Sequence, residues 1–101
     1  MALSQGNDEG TLTGAATQDT IRTSGGNETV WVQFRNYSGA SVTLYVWVGD
    51  GVAEEDRVYN ASLPAGESVF FCRVHIANTQ FIKAEASAAN SIVWNMQYIA
   101  I

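Results

Sequence analysis

The stretch Glu28–Val48, ETVWVQFRNYSGASVTLYVWV, decides the fold class. From Glu28 to Asn36 the residues alternate, with Val30, Val32 and Phe34 on one face and Trp31, Gln33 and Arg35 on the other. From Ser41 to Val48 the alternation resumes, with Val42, Leu44, Val46 and Val48 opposed to Thr43, Tyr45 and Trp47. Side chains repeat every second residue only along a strand, since a helix would need a period of about 3.6. Asn36-Tyr37-Ser38-Gly39 lies between the two runs and is turn chemistry, so the runs read as the arms of a hairpin.

Working outward, Asp50-Gly51 marks the next reversal, followed by the acidic loop Glu54-Glu55-Asp56 and a strand over Arg57–Leu63. Leu63-Pro64-Ala65-Gly66 suits a type I turn, because proline presets φ at its second position. Further strands are expected at Glu67–Val74, Gln80–Ala86 and Ser91–Ile101, and a short one upstream at Gln18–Arg22. Short strands spaced by turn residues, with no helix-period segment, predict an all-β fold. The specific expectation is an antiparallel β-sandwich of six to eight strands, Ig-like or jelly-roll-like, over residues 18–101. Residues 1–17, MALSQGNDEGTLTGAAT, have neither period and read as an extended N-terminal arm outside the core.

Composition excludes several functions. The 101 residues suffice for one domain. Only 15% are charged, against roughly 25% in an average soluble protein. The net charge is −5, and Arg22, Arg35, Arg57, Arg73 and Lys83 are scattered singly. Phosphate and anionic lipid surfaces are bound by clustered cations, so neither nucleic acid nor membrane is an expected partner. No apolar run approaches the ~20 residues of a membrane span. The N-terminal segment lacks the basic and apolar regions of a secretory signal, so a reducing cytoplasm is the expected place of synthesis.

Catalytic chemistry finds few residues. His75 is the one histidine, and any Ser-His-Asp or Cys-His arrangement would have to use it. Cys72 is the one cysteine, which precludes an intrachain disulfide and a cysteine metal site; its alternation with Phe70 and Val74 predicts a small apolar residue on their face. Asp50, Glu54, Glu55 and Asp56 crowd one loop, but their spacing is not that of an EF-hand. A non-enzymatic protein without cofactor or metal is the expectation.

The second face of the strands is the informative feature. If Val30, Val32, Phe34 and Val42, Leu44, Val46 face the core, then Trp31, Tyr45 and Trp47 face away from it. The last strand also carries apolar groups on both sides, with Ile92, Trp94, Met96 and Tyr98 opposed to Val93, Ile99 and Ile101. An antiparallel sheet with one face in water should be polar there. Three outward aromatics on one surface would form a patch of about 500 Å², near the upper end for a monomer. Trp31, Tyr45, Trp47 and Trp94, with Leu3 and Leu12 of the arm, are therefore the candidate contact residues, and a homo-oligomer is expected, with a trimer favoured.

Three segments carry a family resemblance. Asn36–Val46, NYSGASVTLYV, resembles the N-x-S-G-x-x-V-T-L-x-V hairpin of small bacteriophage virion β-sandwich proteins. Leu63–Ser68 resembles their L-x-A-G-E-S turn, and Ile82–Asn90 their I-x-A-x-A-S-A-A-N segment. The acidic insertion Val52–Asp56 and the arm depart from the pattern. The resemblance implies a virion component made in the host cytoplasm and partnered by a viral capsid or tail protein. It favours a head decoration or cement role. The alternative is a tail or fibre module that binds host carbohydrate through aromatics beside the loops Asp50 to Asp56 and Asn78 to Gln80.

Overall fold

The computed structural model describes residues 5–15 and 17–101. Among them eight strands follow one another: β1 (Gln5–Thr11), β2 (Asp19–Thr23), β3 (Glu28–Asn36), β4 (Val42–Gly49), β5 (Arg57–Leu63), β6 (Ser68–Ile76), β7 (Phe81–Ala86) and β8 (Ile92–Ala100), with one 3-10 turn at Glu54–Asp56. They build two four-stranded sheets, ordered β1-β8-β3-β6 and β2-β7-β4-β5, in which every pairing is antiparallel.

Four of the pairings are nested: β1 lies on β8, β2 on β7, β3 on β6 and β4 on β5. This order arises when one long antiparallel ribbon, closed at the β4–β5 turn, rolls around its own apolar side. The β3–β8 and β4–β7 ladders then seal the roll. The architecture is the jelly-roll form of the β-sandwich. Its core is supplied by the alternating residues: Val30, Val32 and Phe34 from β3, Val42, Leu44 and Val46 from β4, Ile82, Ala84 and Ala86 from β7, and Ile92 and Met96 from β8. Phe71 of β6 meets Phe34 and Tyr59 edge-on, at 5.9 and 5.5 Å between ring centres, the geometry that ring quadrupoles favour.

Two expectations need correction. The runs Glu28–Asn36 and Val42–Gly49 are strands, but they do not pair with each other; they belong to different sheets. The reason lies in Asn36, whose fully buried side chain fixes the crossing. Its Nδ2 donates to the carbonyls of Ala40 (2.7 Å) and Leu63 (2.8 Å), while its Oδ1 accepts from the Ser38 backbone N–H (2.9 Å) and hydroxyl (2.7 Å). These bonds turn the chain out of the first sheet and anchor it beside the end of β5. Gly39 has no positive φ, so the left-handed turn residues of a tight hairpin are missing here.

The second correction concerns the arm. Gln5–Thr11 ladders on β8 from Gln5↔Ile99 to Thr11↔Val93, and Leu12 is fully buried in the core, its N–H donating to the Ile92 carbonyl at 2.8 Å. The strand escapes detection because three of its inward positions are Gly6, Asp8 and Gly10, so no apolar alternation exists. Aromatic rings from β8 supply the missing mass. A Cβ on Gly6 would lie 2.7 Å from the Tyr98 ring, and one on Gly10 would lie 2.9 Å from the Trp94 indole.

Candidate functional site on the outer faces

Because β3 and β4 lie in different sheets, their outward residues point in opposite directions. Trp31 stands on the outer face of the β1-β8-β3-β6 sheet, and Tyr45 and Trp47 on that of the β2-β7-β4-β5 sheet. A single Trp31/Tyr45/Trp47 patch therefore does not exist. Tyr45 and Trp47 stack with ring centres 6.1 Å apart, and the Arg57 guanidinium lies 5.2 Å from the Tyr45 ring. Trp47 is only 5% exposed although it lies outside the core cluster. Its own chain therefore covers it, and the 3-10 turn Glu54–Asp56 contacts the strand that carries it. Its indole Nε1 is buried without a hydrogen-bond partner among the described residues.

The remaining contact candidates divide. Leu12 is a core residue, and Trp94 faces inward and packs against the core, so neither presents a contact surface. Leu3 lies outside the described residues. The exposed large apolar side chains are instead Tyr37, Val52, Val58, Phe70 and Ile101. Val58 and Phe70 sit on β5 and β6, the edge strands joined by the turn at Pro64-Ala65-Gly66. Between the sheets near this flank lies an apolar cavity of about 280 Å³ lined by Val32, Val58, Phe71, Val74 and Ile82 among others.

Catalytic residue types are dispersed. His75 is exposed on β6, its Nδ1 hydrogen-bonded to the Thr29 hydroxyl at 3.0 Å. Cys72 is exposed, as is Phe70, but Val74 packs inward, so the three do not share one face as expected. A bulge opposite Trp31, with Arg73 at φ 56°, interrupts the alternation, so Phe70 is exposed while Phe71 and Val74 pack inward. Glu54 pairs with Arg57 at 3.3 Å. The described residues contain no group of His, Cys, Asp and Glu that could hold a metal ion. Of the loops expected to flank a sugar site, Gln80 spends its side-chain oxygen on the Ala77 N–H at 2.8 Å.

One buried ion pair stands out, between Arg22 and Glu28. Glu28 is 3% exposed and accepts from Arg22 Nε at 2.8 Å and Nη2 at 2.6 Å. The bond from Arg22 holds the Glu28 carboxyl below the usual carboxylate range, against the opposing effect of burial. The same guanidinium lies 3.5 Å from the centre of the Tyr98 ring, so it ties β2, β3 and β8 together at one end of the roll. This arrangement is structural.

Two four-stranded antiparallel sheets in this order define an all-β jelly roll. Solved structures share that fold. The chain is similar to a protein of Bacillus endospore appendages, a family of disulfide-linked pili, with a TM-score of 0.67 and 15% identity over 97% of this chain and 87% of that one. It is similar to a chain in the acid-stable capsid of a Helicobacter pylori bacteriophage, with a TM-score of 0.53 and 13% identity over 98% and 88% of the two chains. A chain of the IBDV viral particle gives a TM-score of 0.50 and 9% identity, over 97% of this chain but 31% of that one. At these identities the likeness is one of fold. No protein-family model matches the sequence, and no curated protein matches it.

Proposed function

We propose that this chain is a structural subunit of a virion, specifically a head decoration protein that stabilises the shell through contacts alone. The observation that carries the reading is the likeness of fold to a bacteriophage capsid chain over 98% of this chain and 88% of that one. The low charge content, 15%, agrees with a surface that is partly covered. The pilus-type neighbour offers a different assembly, but a disulfide-linked chain of subunits requires two cysteines in each. These 101 residues hold one, Cys72, enough to join two copies and no more.

The flank formed by β5 and β6 is the proposed contact. Both are unpaired sheet edges, which present free backbone groups to a partner, and Phe70 lies on the regularly paired side of the β6 bulge. Val58 and Phe70 supply the apolar groups. Copies arranged as a trimer around this flank would cover them by symmetry. Electron microscopy of particles labelled with an antibody to the chain tests the assignment, and label on the head is the expected result. Label on the tail alone removes the decoration role. Sedimentation of the purified protein tests the trimer, and a monomer at millimolar concentration removes it.

A further inference from the structure

The outer face of the β1-β8-β3-β6 sheet has an unusual composition. The registers place Asn7, Gln97 and Trp31 in one row across three strands. Glu9, Asn95 and Gln33 form the next row, and Gln5, Ile99 and Thr29 the row on the other side. Five primary amides thus surround one indole, with Glu9 as the one charge in these rows. Gln5, Asn7, Asn95 and Gln97 are exposed, while Gln33 and Trp31 are half-buried.

None of these five side-chain amides makes a hydrogen bond within the described residues. The amide of Asn36, by contrast, is spent on the chain's own backbone. A depression of about 420 Å³ is lined by Gln5, Asn7, Trp31, Gln97 and Ile99, with Gly6 and Tyr98 completing it. A second, of about 450 Å³, adjoins it at Asn7 and Gln97.

Ligand chemistry follows from this inventory. The depression beside Trp31 is lined by no charged residue, and the carboxylates Asp8 and Glu9 line only the second one, so an ion has no partner at the indole. A purely apolar molecule would strand the amides without partners, which is costly. A primary carboxamide offers two donors and an acceptor, the complement of hydroxyl groups that do both. An indole offers a large apolar face to a ring with axial C–H bonds. Two strand spacings, about 10 Å, separate Asn7 from Trp31, which accommodates a short oligosaccharide.

We propose that this face binds a neutral saccharide, with Trp31 stacked on a pyranose ring and Asn7 and Gln97 bonded to its hydroxyls. The site is independent of the shell assignment, because it lies on the sheet face and not on the β5/β6 flank. The test is calorimetric titration of the full chain with a panel of neutral oligosaccharides of glucose, galactose, mannose and N-acetylglucosamine, each to about 10 mM, a range that covers weak single-site binding. At least one should bind. Trp31→Ala should weaken it by tenfold or more, Gln97→Ala several-fold, and Tyr45→Ala on the opposite sheet not at all. Trp31 lies outside the core cluster, and circular dichroism confirms that each variant is folded. Absence of binding across the panel overturns the proposal, as does binding that Trp31→Ala leaves intact. So does a Trp31→Ala variant that alters self-association in place of sugar affinity, since the face would then belong to a second copy.

Discussion

The indole of Trp94 in β8 occupies the space above Gly10 in β1, so that a Cβ on Gly10 would stand 2.9 Å from its Cζ2 and 3.0 Å from its Cε2. The pair is a cross-strand contact in which one partner contributes only backbone. The ring covers the edge strand and rests against the core, and β1 needs no apolar residue at that position. Tyr98 and Gly6 repeat the relationship four residues away.

Gly10→Val is therefore expected to destabilise the protein by about 1–3 kcal/mol, the usual cost of forcing added bulk into a packed site. The valine has a better strand preference than glycine, so propensity alone predicts the opposite sign. Chemical denaturation of the single variants and of the pair Gly10→Val with Trp94→Ala measures the coupling. With the indole removed, the valine should no longer be harmful; equal harm in both backgrounds would show that Trp94 is not the obstacle.

The Arg22–Glu28 pair makes stability depend on acid. The Glu28 carboxyl is held below its ordinary range in the folded chain, chiefly by the hydrogen bond from Arg22. Its contribution is complete above the unfolded value of about 4.3 and disappears as pH falls through the lower folded value. Glu28→Gln should cost about 1–3 kcal/mol at pH 7, the range for hydrogen bonds to charged groups. Thermal melts from pH 7 to pH 3 should show the gap between variant and parent closing at the acid end. A gap of constant size would mean that the carboxylate's charge contributes nothing.

Trp47 separates burial from hydrogen bonding. Its ring is covered and stacked on Tyr45, yet its N–H finds no partner among the described residues. An unsatisfied buried donor costs about 1–3 kcal/mol. Trp47→Phe removes the donor along with part of the ring, and urea denaturation should place it within about 1 kcal/mol of the parent. Trp47→Ala removes the packing as well and should lose about 3–5 kcal/mol. If phenylalanine proves as damaging as alanine, the N–H has a partner that these contacts do not include.

How much was legible follows from where the information resides. β3 and β4 are written in their own alternation, because Val30, Val32, Phe34 and Val42, Leu44, Val46 must face one core. β1 was illegible because its inward positions are vacated for rings that come from β8, some ninety residues away in the chain. The outward direction of Trp31, Tyr45 and Trp47 was readable, but their division between two faces was not. That division depends on the β3–β4 crossing, and a turn-rich Asn36-Tyr37-Ser38-Gly39 suits a hairpin equally well. The amide face was hidden for the first reason, since Asn7 meets Gln97 only once β1 is a strand.

Asn36 is where the crossing is decided, and it yields the sharpest prediction. Its amide donates twice to carbonyls and its oxygen accepts twice, in a fully buried position. Asn36→Ala leaves the Leu63 carbonyl and the Ser38 groups without these partners, at a cost of about 2–4 kcal/mol if one or two stay unsatisfied. Asn36→Asp keeps the shape but not the chemistry. An ionised carboxylate cannot donate, so both carbonyl partners face negative charge in a buried site. The introduced carboxyl should therefore titrate above the ordinary aspartate value of about 3.9 when folded. A group raised in this way destabilises more as pH climbs through its folded value, so Asn36→Asp should be weaker at pH 7 than at pH 5 relative to the parent protein. Denaturation midpoints at the two pH values measure the difference, and Asn36→Ala should show no such dependence. If Asn36→Asp were as stable as the parent at pH 7, the two donated bonds could not be what holds the crossing.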